Sequence, residues 1–180
     1  MNRLMLTSVG REVHVRELAA QQLPVLGELG ALLDEGRIAH WLFGGWAVDF
    51  HVGRVTRSHS DVDLAVWARD AHAINQALRA AAWEHRPAAD EDGGTGYERN
   101  GVRVELTYLV SGEDGEVFVA LRDEPVLWSE HPLGNEVLEL EGIRARVIPL
   151  QLLKHGKSRP REDPEDAATD RADFKALSSF

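Results

Sequence analysis

The amino-acid sequence predicts an α+β fold in which a mixed β-sheet is flanked by helices and followed by C-terminal helices. Residues 41–66 have the pattern of a strand, a Gly-Gly turn, a short helix, a basic loop and a second strand. The amphipathic segment 68–82 predicts a helix that crosses over and brings the next strand beside the first ones. Two alternating segments, 95–100 and 102–110, meet at a two-residue turn signal and predict a hairpin.

The size and composition of the chain predict a single domain over residues 1–180. In that domain, 1–148 form the sheet core with an N-terminal helix and 149–180 form a helical segment. Hydrophobic residues make up 43% of the chain, which is enough for a core. The chain has no cysteine, which excludes disulfides, zinc-thiolate sites and cysteine nucleophiles. The sequence also lacks a membrane-length apolar run and a signal-peptide core, so we expect a cytoplasmic protein without a membrane partner.

The charge balance bears on possible partners. Asp and Glu outnumber Lys and Arg by 30 to 20, and the net charge is −10. Nucleic acid is disfavoured as a partner, because phosphate backbones bind to basic surfaces. An acidic surface would attract a cationic small molecule. Solubility alone also accounts for an acidic composition.

The N-terminal half is predicted to contain two helices and a strand before the basic loop. Leucines at three- and four-residue steps predict a helix over 13–35, which Pro24 would kink or split and Gly36 would end. A strand over 39–43 is followed by a short helix over 45–52 that ends at Gly53.

The second half alternates short strands with turns before two helices. The predicted strands are 83–86, 116–121, 126–128, 136–140 and 142–148. Pro149 opens a helix, and Asp163 caps a last helix marked by Ala167, Arg171, Phe174 and Leu177. The acidic residues of loop 87–96 are either solvated or line an entrance for a cationic acceptor. They are Asp90, Glu91 and Asp92.

Two carboxylates two positions apart are the first candidate functional residues. Asp61 and Asp63 lie in a strand-like run, so both side chains point to the same side of the sheet. At about 3.3 Å per residue they lie roughly 6–7 Å apart, which suits one shared cation or two neighbouring cations. Without a cation they would raise each other's pKa. A hard divalent metal is the simplest partner for the pair.

A Gly-Gly pair forms the second candidate feature. Gly44 and Gly45 permit unusual backbone angles and a close approach of a ligand to bare N–H groups. The short helix that follows would direct its free amides and positive dipole end towards the same place. This combination predicts a phosphate-binding turn next to the aspartate pair.

The Gly-Gly segment, the basic loop and the Asp-Val-Asp strand together resemble the polymerase-beta-like nucleotidyltransferase superfamily. The greatest similarity is to small antibiotic nucleotidyltransferases that adenylylate aminoglycosides or lincosamides. The resemblance is strong over residues 38–66 and looser in the C-terminal helices. The first helix and residues 110–142 match no motif, and they include most of the segments expected to set acceptor specificity.

The resemblance implies a metal site and a catalytic carboxylate. Asp61 and Asp63 would hold two magnesium ions, and Gly44 and Gly45 would cradle the triphosphate of ATP or another nucleoside triphosphate. Glu105 lies on the polar face of an alternating strand and matches the superfamily's third carboxylate, which is often Asp. It would bind the second ion or take the acceptor's proton. A plain surface glutamate is the alternative.

Three basic residues are further candidates. Arg57 and His59 lie between the predicted anion pocket and the carboxylates, so they are expected to touch nucleotide or to order the aspartates. Solvated loop residues are the alternative. Lys154 best matches a family lysine that a proline-headed helix carries towards the phosphates, although an ordinary lysine at a helix end has the same pattern.

The function implied by the resemblance is metal-dependent transfer of a nucleoside monophosphate to a hydroxyl of a small cationic antibiotic, with release of pyrophosphate. Two alternatives stay open. One is an adenylylating toxin–antitoxin component that modifies a partner protein, and the other is a non-catalytic nucleotide-binding domain. The sequence leaves the acceptor, the preferred nucleotide and a possible homodimer undecided.

Overall fold

The computed structural model describes residues 8–88 and 91–179, which form five α-helices and nine strands. The helices are α1 (Ser8–Glu35), α2 (Gly44–Val52), α3 (Ala71–Ala80), α4 (Leu150–Lys157) and α5 (Pro164–Leu177). The strands are β1 (His40–Phe43), β2 (Val62–Trp67), β3 (Glu84–His85), β4 (Gly94–Arg99), β5 (Val102–Ser111), β6 (Val117–Val119), β7 (Val126–Ser129), β8 (Val137–Leu140) and β9 (Ile143–Arg146). Among these residues no helix is both long and apolar enough to cross a membrane.

The main sheet confirms the prediction of a mixed sheet. Its central path has the order β1-β2-β5-β4-β3, and β6 and β7 extend it from the end of β5. Strands β2 and β5 are parallel, whereas the other pairs in this sheet are antiparallel. Helix α3 makes the crossover between β2 and the β3–β5 segment, as its amphipathic pattern predicts. Strands β8 and β9 form a separate hairpin.

Helix α1 runs without interruption through Pro24, so the predicted split at that residue is wrong. Proline removes one backbone hydrogen bond from a helix. Apolar side chains on both sides of Pro24 are buried in the core and hold the two halves together: Leu23, Val25, Leu26, Leu29 and Leu33. The helix ends at Glu35, immediately before Gly36, as predicted.

The predicted hairpin at Asn100 and Gly101 is confirmed. Strands β4 and β5 pair antiparallel, with Arg99 opposite Val102. Along β5, Val104 and Leu106 are buried in the core, whereas Arg103 is exposed and Glu105 is half-buried on the other face. This alternation separates a core face from a polar face that carries the candidate carboxylate.

The C-terminal helices begin where predicted, and the buried face of α5 carries carboxylates. Pro149 precedes α4, and the Asp163 side chain accepts hydrogen bonds from two backbone N–H groups at the start of α5. Phe174 is 39% exposed, whereas Asp170 and Asp173 are buried. Helix α5 therefore turns carboxylates, not its aromatic residue, towards the rest of the protein.

Two predictions are left undecided by the fold. The first is whether the acidic loop is only solvated or lines an entrance for a cationic acceptor. Of its acidic residues, Glu91 and Asp92 are described and Asp90 lies outside the described residues. The organisation of residues 1–180 as one domain stays a prediction.

Candidate active site

A cavity of about 1000 Å³ lies between one face of the sheet and the C-terminal helices. Its floor is the Gly44–Gly45 turn with the adjacent strand β2, and its walls come from the loop before β2 and from α4 and α5. Both acidic and basic side chains line it, among them Arg57, His59, Asp61, Asp63, Lys157 and Asp170.

Strand pairing brings the three predicted carboxylates to one side of the sheet. Strands β2 and β5 are parallel, and Asp63 lies directly opposite Glu105 in their register. Asp61 precedes Asp63 by two residues, so its side chain points to the same face. The sheet therefore places Asp61, Asp63 and Glu105 on a common face, as the sequence predicts.

The carboxylates destabilise one another's charge. Burial raises the pKa of Asp63 to about 7, and the negative charges of Asp61 and Glu105 add to this effect. Burial also raises the pKa of Asp61, although a hydrogen bond from Ser60 opposes the rise. Within the described residues, neither aspartate forms an ion pair with a basic side chain. Both are therefore suited to accept an external cation.

Glu105 is held differently from the two aspartates. Its Oε1 atom accepts a hydrogen bond of 2.7 Å from Nε of Arg103, its neighbour on the same face of β5. It lines a smaller groove of about 290 Å³ next to β4, not the main cavity. Glu105 thus lies at the boundary between the main cavity and this groove.

The donor set suits a magnesium ion that keeps a ligand's oxygens in its coordination shell. In the described part of the chain, no three His, Asp or Glu side chains are grouped as a ready-made metal cage. Magnesium commonly takes only one or two carboxylates and completes its shell with phosphate and water oxygens. Two half-buried aspartates that form no ion pair and have raised pKa values meet that requirement.

The two glycines at the cavity floor are required by close contacts. Gly44 has a φ of +66°, which disfavours other residues, and a Cβ there would overlap the Asp63 carboxylate. A Cβ at Gly45 would overlap the His59 ring and lie 2.5 Å from Nη2 of Arg57. The backbone thus approaches an acidic and a basic group at once, at the N-terminus of α2.

A buried hydrogen-bond network fixes the loop between α2 and β2. Asp49 is fully buried, and its carboxylate accepts hydrogen bonds from the backbone and the hydroxyl of Thr56. Its other oxygen lies 2.6 Å from Nε2 of His59, which must be the donor because a carboxylate only accepts. The His59 ring also packs on Trp46, with centroids 4.5 Å apart. His59 is therefore an ordered cavity residue, not a solvated loop residue.

Arg57 and Lys157 converge on one carboxylate of α5. Nε and Nη2 of Arg57 each donate to a different oxygen of Asp173, both at 3.0 Å. Nζ of Lys157 lies 2.8 Å from Asp173 and 2.9 Å from Asp170. The positive charges of both residues oppose the rise in the pKa of Asp63. The cations therefore lie close enough to act on the carboxylates across the cavity.

The predicted role of Lys154 at the nucleotide site stays a prediction, and Lys157 on the same helix is a second candidate. Lys154 is not among the residues that line the cavity, whereas Lys157 is. Lys157 follows the buried Leu153 by four residues and so shares its face of α4. Lys154 lies about 100° around the helix from Leu153 and about 60° from Lys157, at about 100° per residue.

Sequence reasoning missed further residues at the site. Asp166, Asp170 and Asp173 recur at steps of four and three on α5, a helical stripe of acids that could have indicated a buried polar face. Trp128 lines the cavity and packs edge-on against Phe43 with ring centroids 5.4 Å apart. No signal in its surrounding segment distinguished it from core aromatic residues.

Comparison with known proteins gives family and curated sequence matches. A family model described as aminoglycoside-2''-adenylyltransferase matches residues 25–177. A 2''-aminoglycoside nucleotidyltransferase of Klebsiella pneumoniae is 44% identical over 43 residues, which are 24% of this chain and 24% of that protein. One of Escherichia coli matches to the same extent. The matched segments thus span about a quarter of the length of these curated relatives.

Solved structures share the fold at low sequence identity. The lincomycin-bound lincosamide antibiotic adenylyltransferase LnuA has a TM-score of 0.64 and 18% identity, covering 83% of this chain and 91% of that one. ANT(2'')-Ia in complex with adenylyl-2''-tobramycin also has a TM-score of 0.64, with 17% identity and 87% coverage of both chains. These neighbours confirm the predicted nucleotidyltransferase fold.

Proposed function

Since the chain belongs to the aminoglycoside-2''-adenylyltransferase family, we propose that it transfers a nucleoside monophosphate to a hydroxyl group of a small cationic antibiotic. The donor is ATP or another nucleoside triphosphate, and the acceptor is an aminoglycoside or a lincosamide. One observation carries the proposal: unpaired carboxylates with raised pKa values face ordered cations across a cavity floored by a Gly-Gly turn.

The reaction makes one bond and breaks another at the α-phosphorus. The acceptor's hydroxyl oxygen bonds to that phosphorus, while the bond from phosphorus to the oxygen that bridges to the β-phosphate breaks. Pyrophosphate leaves with that bridging oxygen. The hydroxyl proton passes to a carboxylate, and Glu105 at the boundary between the cavity and the neighbouring groove is the proposed acceptor of this proton.

Asp61 and Asp63 are the proposed ligands of magnesium, with Glu105 as a further ligand when it is not serving as the base. When bound, magnesium supplies positive charge that neutralises the triphosphate and lowers the pKa of the acceptor's hydroxyl. The two aspartates fit this role because they are half-buried and form no ion pair with a basic side chain among the described residues. Their raised pKa values would fall towards the ordinary range beside a cation.

The phosphates are proposed to lie on Gly44 and Gly45 at the start of α2. Free N–H groups at a helix N-terminus point at a bound anion, and the helix dipole favours its negative charge. Arg57 and Lys157 flank this place and would stabilise the charge that develops on departing pyrophosphate. His59 would keep the turn and Arg57 in position from the side of the loop.

Two features support a cationic acceptor. The net charge of −10 attracts cations, and the small groove beside Glu105 carries Glu91 and Asp92. A solved neighbour holds lincomycin and another holds an adenylylated tobramycin, so both drug classes are candidate acceptors.

A transfer assay with α-labelled ATP, GTP, CTP and UTP tests the proposal. With magnesium and a panel of aminoglycosides and lincosamides, we expect label on at least one drug, with equimolar pyrophosphate. The double variant D61N/D63N should transfer no label while its circular dichroism spectrum stays that of the parent. Label on a protein, with none on any drug, would favour a protein-modifying enzyme. Absence of any product across the panel would overturn the enzymatic proposal.

A further inference from the structure

Helix α5 contributes two buried carboxylates to the edge of the cavity. The side chain of Asp173 is 2% exposed and that of Asp170 is 7% exposed. Both lie on the face of α5 that packs towards α2 and α4. Charged side chains are seldom buried to this extent unless they are paired, so their partners indicate what they do.

Each carboxylate forms ion pairs with two basic side chains. Asp173 accepts from Arg57 through both of its oxygens and also contacts Lys157. Asp170 accepts from Lys157 at 2.9 Å and from Nε of Arg161 at 2.6 Å. Burial alone would raise the pKa of Asp173, but hydrogen bonds from Arg57 and Lys157 outweigh it and lower that pKa.

Stability alone is a poor explanation for this cluster. Two charges taken out of water lose hydration, and well-packed apolar residues often replace a buried ion pair without loss of stability. A helix that only needed to dock could have turned Phe174 inwards, yet Phe174 is exposed. The cluster therefore calls for an explanation in terms of what the cations do.

The geometry leaves one or two donors of each cation for a ligand. Lys157 has three N–H donors, and two are taken by Asp170 and Asp173. Arg57 has five, and three are taken by Asp173 and the carbonyl of Ser58. Its Nη2 atom lies against Gly45, and the Lys157 charge acts on Asp63. The N–H groups of Arg57 and Lys157 that have no partner in the described part of the protein therefore lie near the Gly-Gly turn and Asp63.

We propose that Asp173 is a positioning residue that orients the side chains of Arg57 and Lys157 for binding of the triphosphate. Asp170 is a second ion-pair partner that orients Lys157. This inference rests on the proposed function and adds a role for α5, which acts on the triphosphate through these two basic side chains. A preorganised cation loses less side-chain entropy when it binds phosphate than a free one does. Neither carboxylate is a catalytic residue in this scheme.

Binding measurements on Asp173→Asn test the proposal. The substitution keeps the side-chain shape and removes the charge that fixes both cations. We expect the Kd of a non-hydrolysable nucleoside triphosphate with magnesium to rise about 10–30-fold. The Kd of the corresponding nucleoside, which has no phosphates, should change less than twofold. In kinetics the effect should appear mainly in the KM for the triphosphate.

Two further variants complete the design. Glu165→Gln removes an exposed charge from the same helix and should leave both Kd values unchanged. Asp170→Asn leaves the Arg57 contact intact and should raise the triphosphate Kd about threefold to fivefold, which keeps the proposal testable if Asp173→Asn does not fold. Rescue by Asp173→Glu, which restores the charge, should recover part of the lost affinity.

The outcomes separate this inference from the proposed function. A parent protein that binds no triphosphate would overturn the proposed function itself. Parent-like triphosphate affinity in folded Asp173→Asn, or in Asp170→Asn if the first does not fold, would overturn the positioning role alone. An equal loss of triphosphate and nucleoside affinity would also overturn it, because that result indicates a general distortion of the cavity.

Discussion

The two sides of the cavity treat charge in opposite ways. On the sheet side, Asp61 and Asp63 are half-buried near Glu105 with raised pKa values, and no basic side chain forms an ion pair with either aspartate among the described residues. On the helix side, Arg57 and Lys157 are bound to Asp173, whose pKa is lowered. The aspartates of the sheet side thus lack a positive partner, whereas the basic side chains of the helix side are already paired with a carboxylate.

This difference follows from what each side would bind. Carboxylates meant for a metal must stay unpaired, since a resident Lys or Arg would compete with the incoming cation. Basic side chains that bind a polyphosphate must have a fixed orientation, because the ligand presents several oxygens at defined positions. Partial neutralisation of their charge by a carboxylate matters less. A buried carboxylate behind each cation gives that direction. The contrast predicts opposite consequences for neutralising an aspartate on either side.

The largest expected effect comes from Asp63→Asn on the sheet side. The substitution removes a proposed metal ligand, so we expect turnover to fall at least about 1000-fold, or about 4 kcal/mol in the activation free energy. It also removes a half-buried charge that has no ion-pair partner and a raised pKa, so we expect the free energy of unfolding to rise. Denaturant unfolding and the transfer assay on the same preparation measure both effects.

The gain in stability should depend on pH with a definite sign. Because the pKa of Asp63 is raised to about 7, the folded protein holds a proton that the unfolded chain releases near pH 4. The parent therefore loses stability as pH rises from about 4 to about 7, and the loss is complete above that range. Asp63→Asn should be about 2–4 kcal/mol more stable than the parent at pH 8, and close to it at pH 4.

The exposed Asp123→Asn, in the loop between β6 and β7, serves as the matched control. Its stability difference from the parent should stay within about 0.5 kcal/mol at both pH values. A stability difference for Asp63→Asn that is independent of pH would contradict the electrostatic account of the sheet side. Normal turnover in this variant would contradict the metal-ligand role.

Local patterns predicted the sheet side in detail. The two-residue period placed Asp61 and Asp63 on one face, and the alternation of β5 placed Glu105 on its polar face. The register that sets Asp63 opposite Glu105 was not readable, since it depends on a parallel pairing across about 40 residues. The resemblance to a family supplied that step, because it named the third carboxylate.

The helix side was harder to predict, because its logic runs against the usual rule for amphipathic helices. The apolar side chain of Phe174 is exposed on α5, whereas the inward residues include Asp170 and Asp173. The cations that hold them inward come from distant segments: the Arg57 loop and the end of α4. A pattern within one helix carries no information about such partners, so the sequence does not distinguish Lys154 from Lys157, which lines the cavity.

A comparison of two lysines on α4 sharpens the account of the helix side. We expect Lys157→Gln to raise the KM for the triphosphate about 10–30-fold, since a charged hydrogen bond to phosphate contributes about 1.5–2 kcal/mol. Lys154→Gln, which removes the same charge one turn earlier and outside the cavity, should stay within twofold. Initial rates against nucleotide concentration at saturating acceptor measure both. Equal effects on KM in the two variants would indicate that the positive charge of α4 attracts the triphosphate in general, without a direct contact from Lys157.

The smallest expected effect concerns Arg103, which pairs with a carboxylate on the sheet side. Its Nε atom donates to Glu105 at 2.7 Å, and both side chains are more than 40% exposed, so the pair itself stabilises little. If Glu105 helps to hold a cation, Arg103 competes for it, and Arg103→Gln should lower the magnesium concentration for half-maximal activity about twofold to threefold. Arg86→Gln, which breaks an exposed pair with Glu84 on β3, should leave this concentration unchanged. A higher magnesium requirement in Arg103→Gln would instead mean that Arg103 orients Glu105. On both sides of the cavity an ion-pair partner would then orient a ligand-binding side chain.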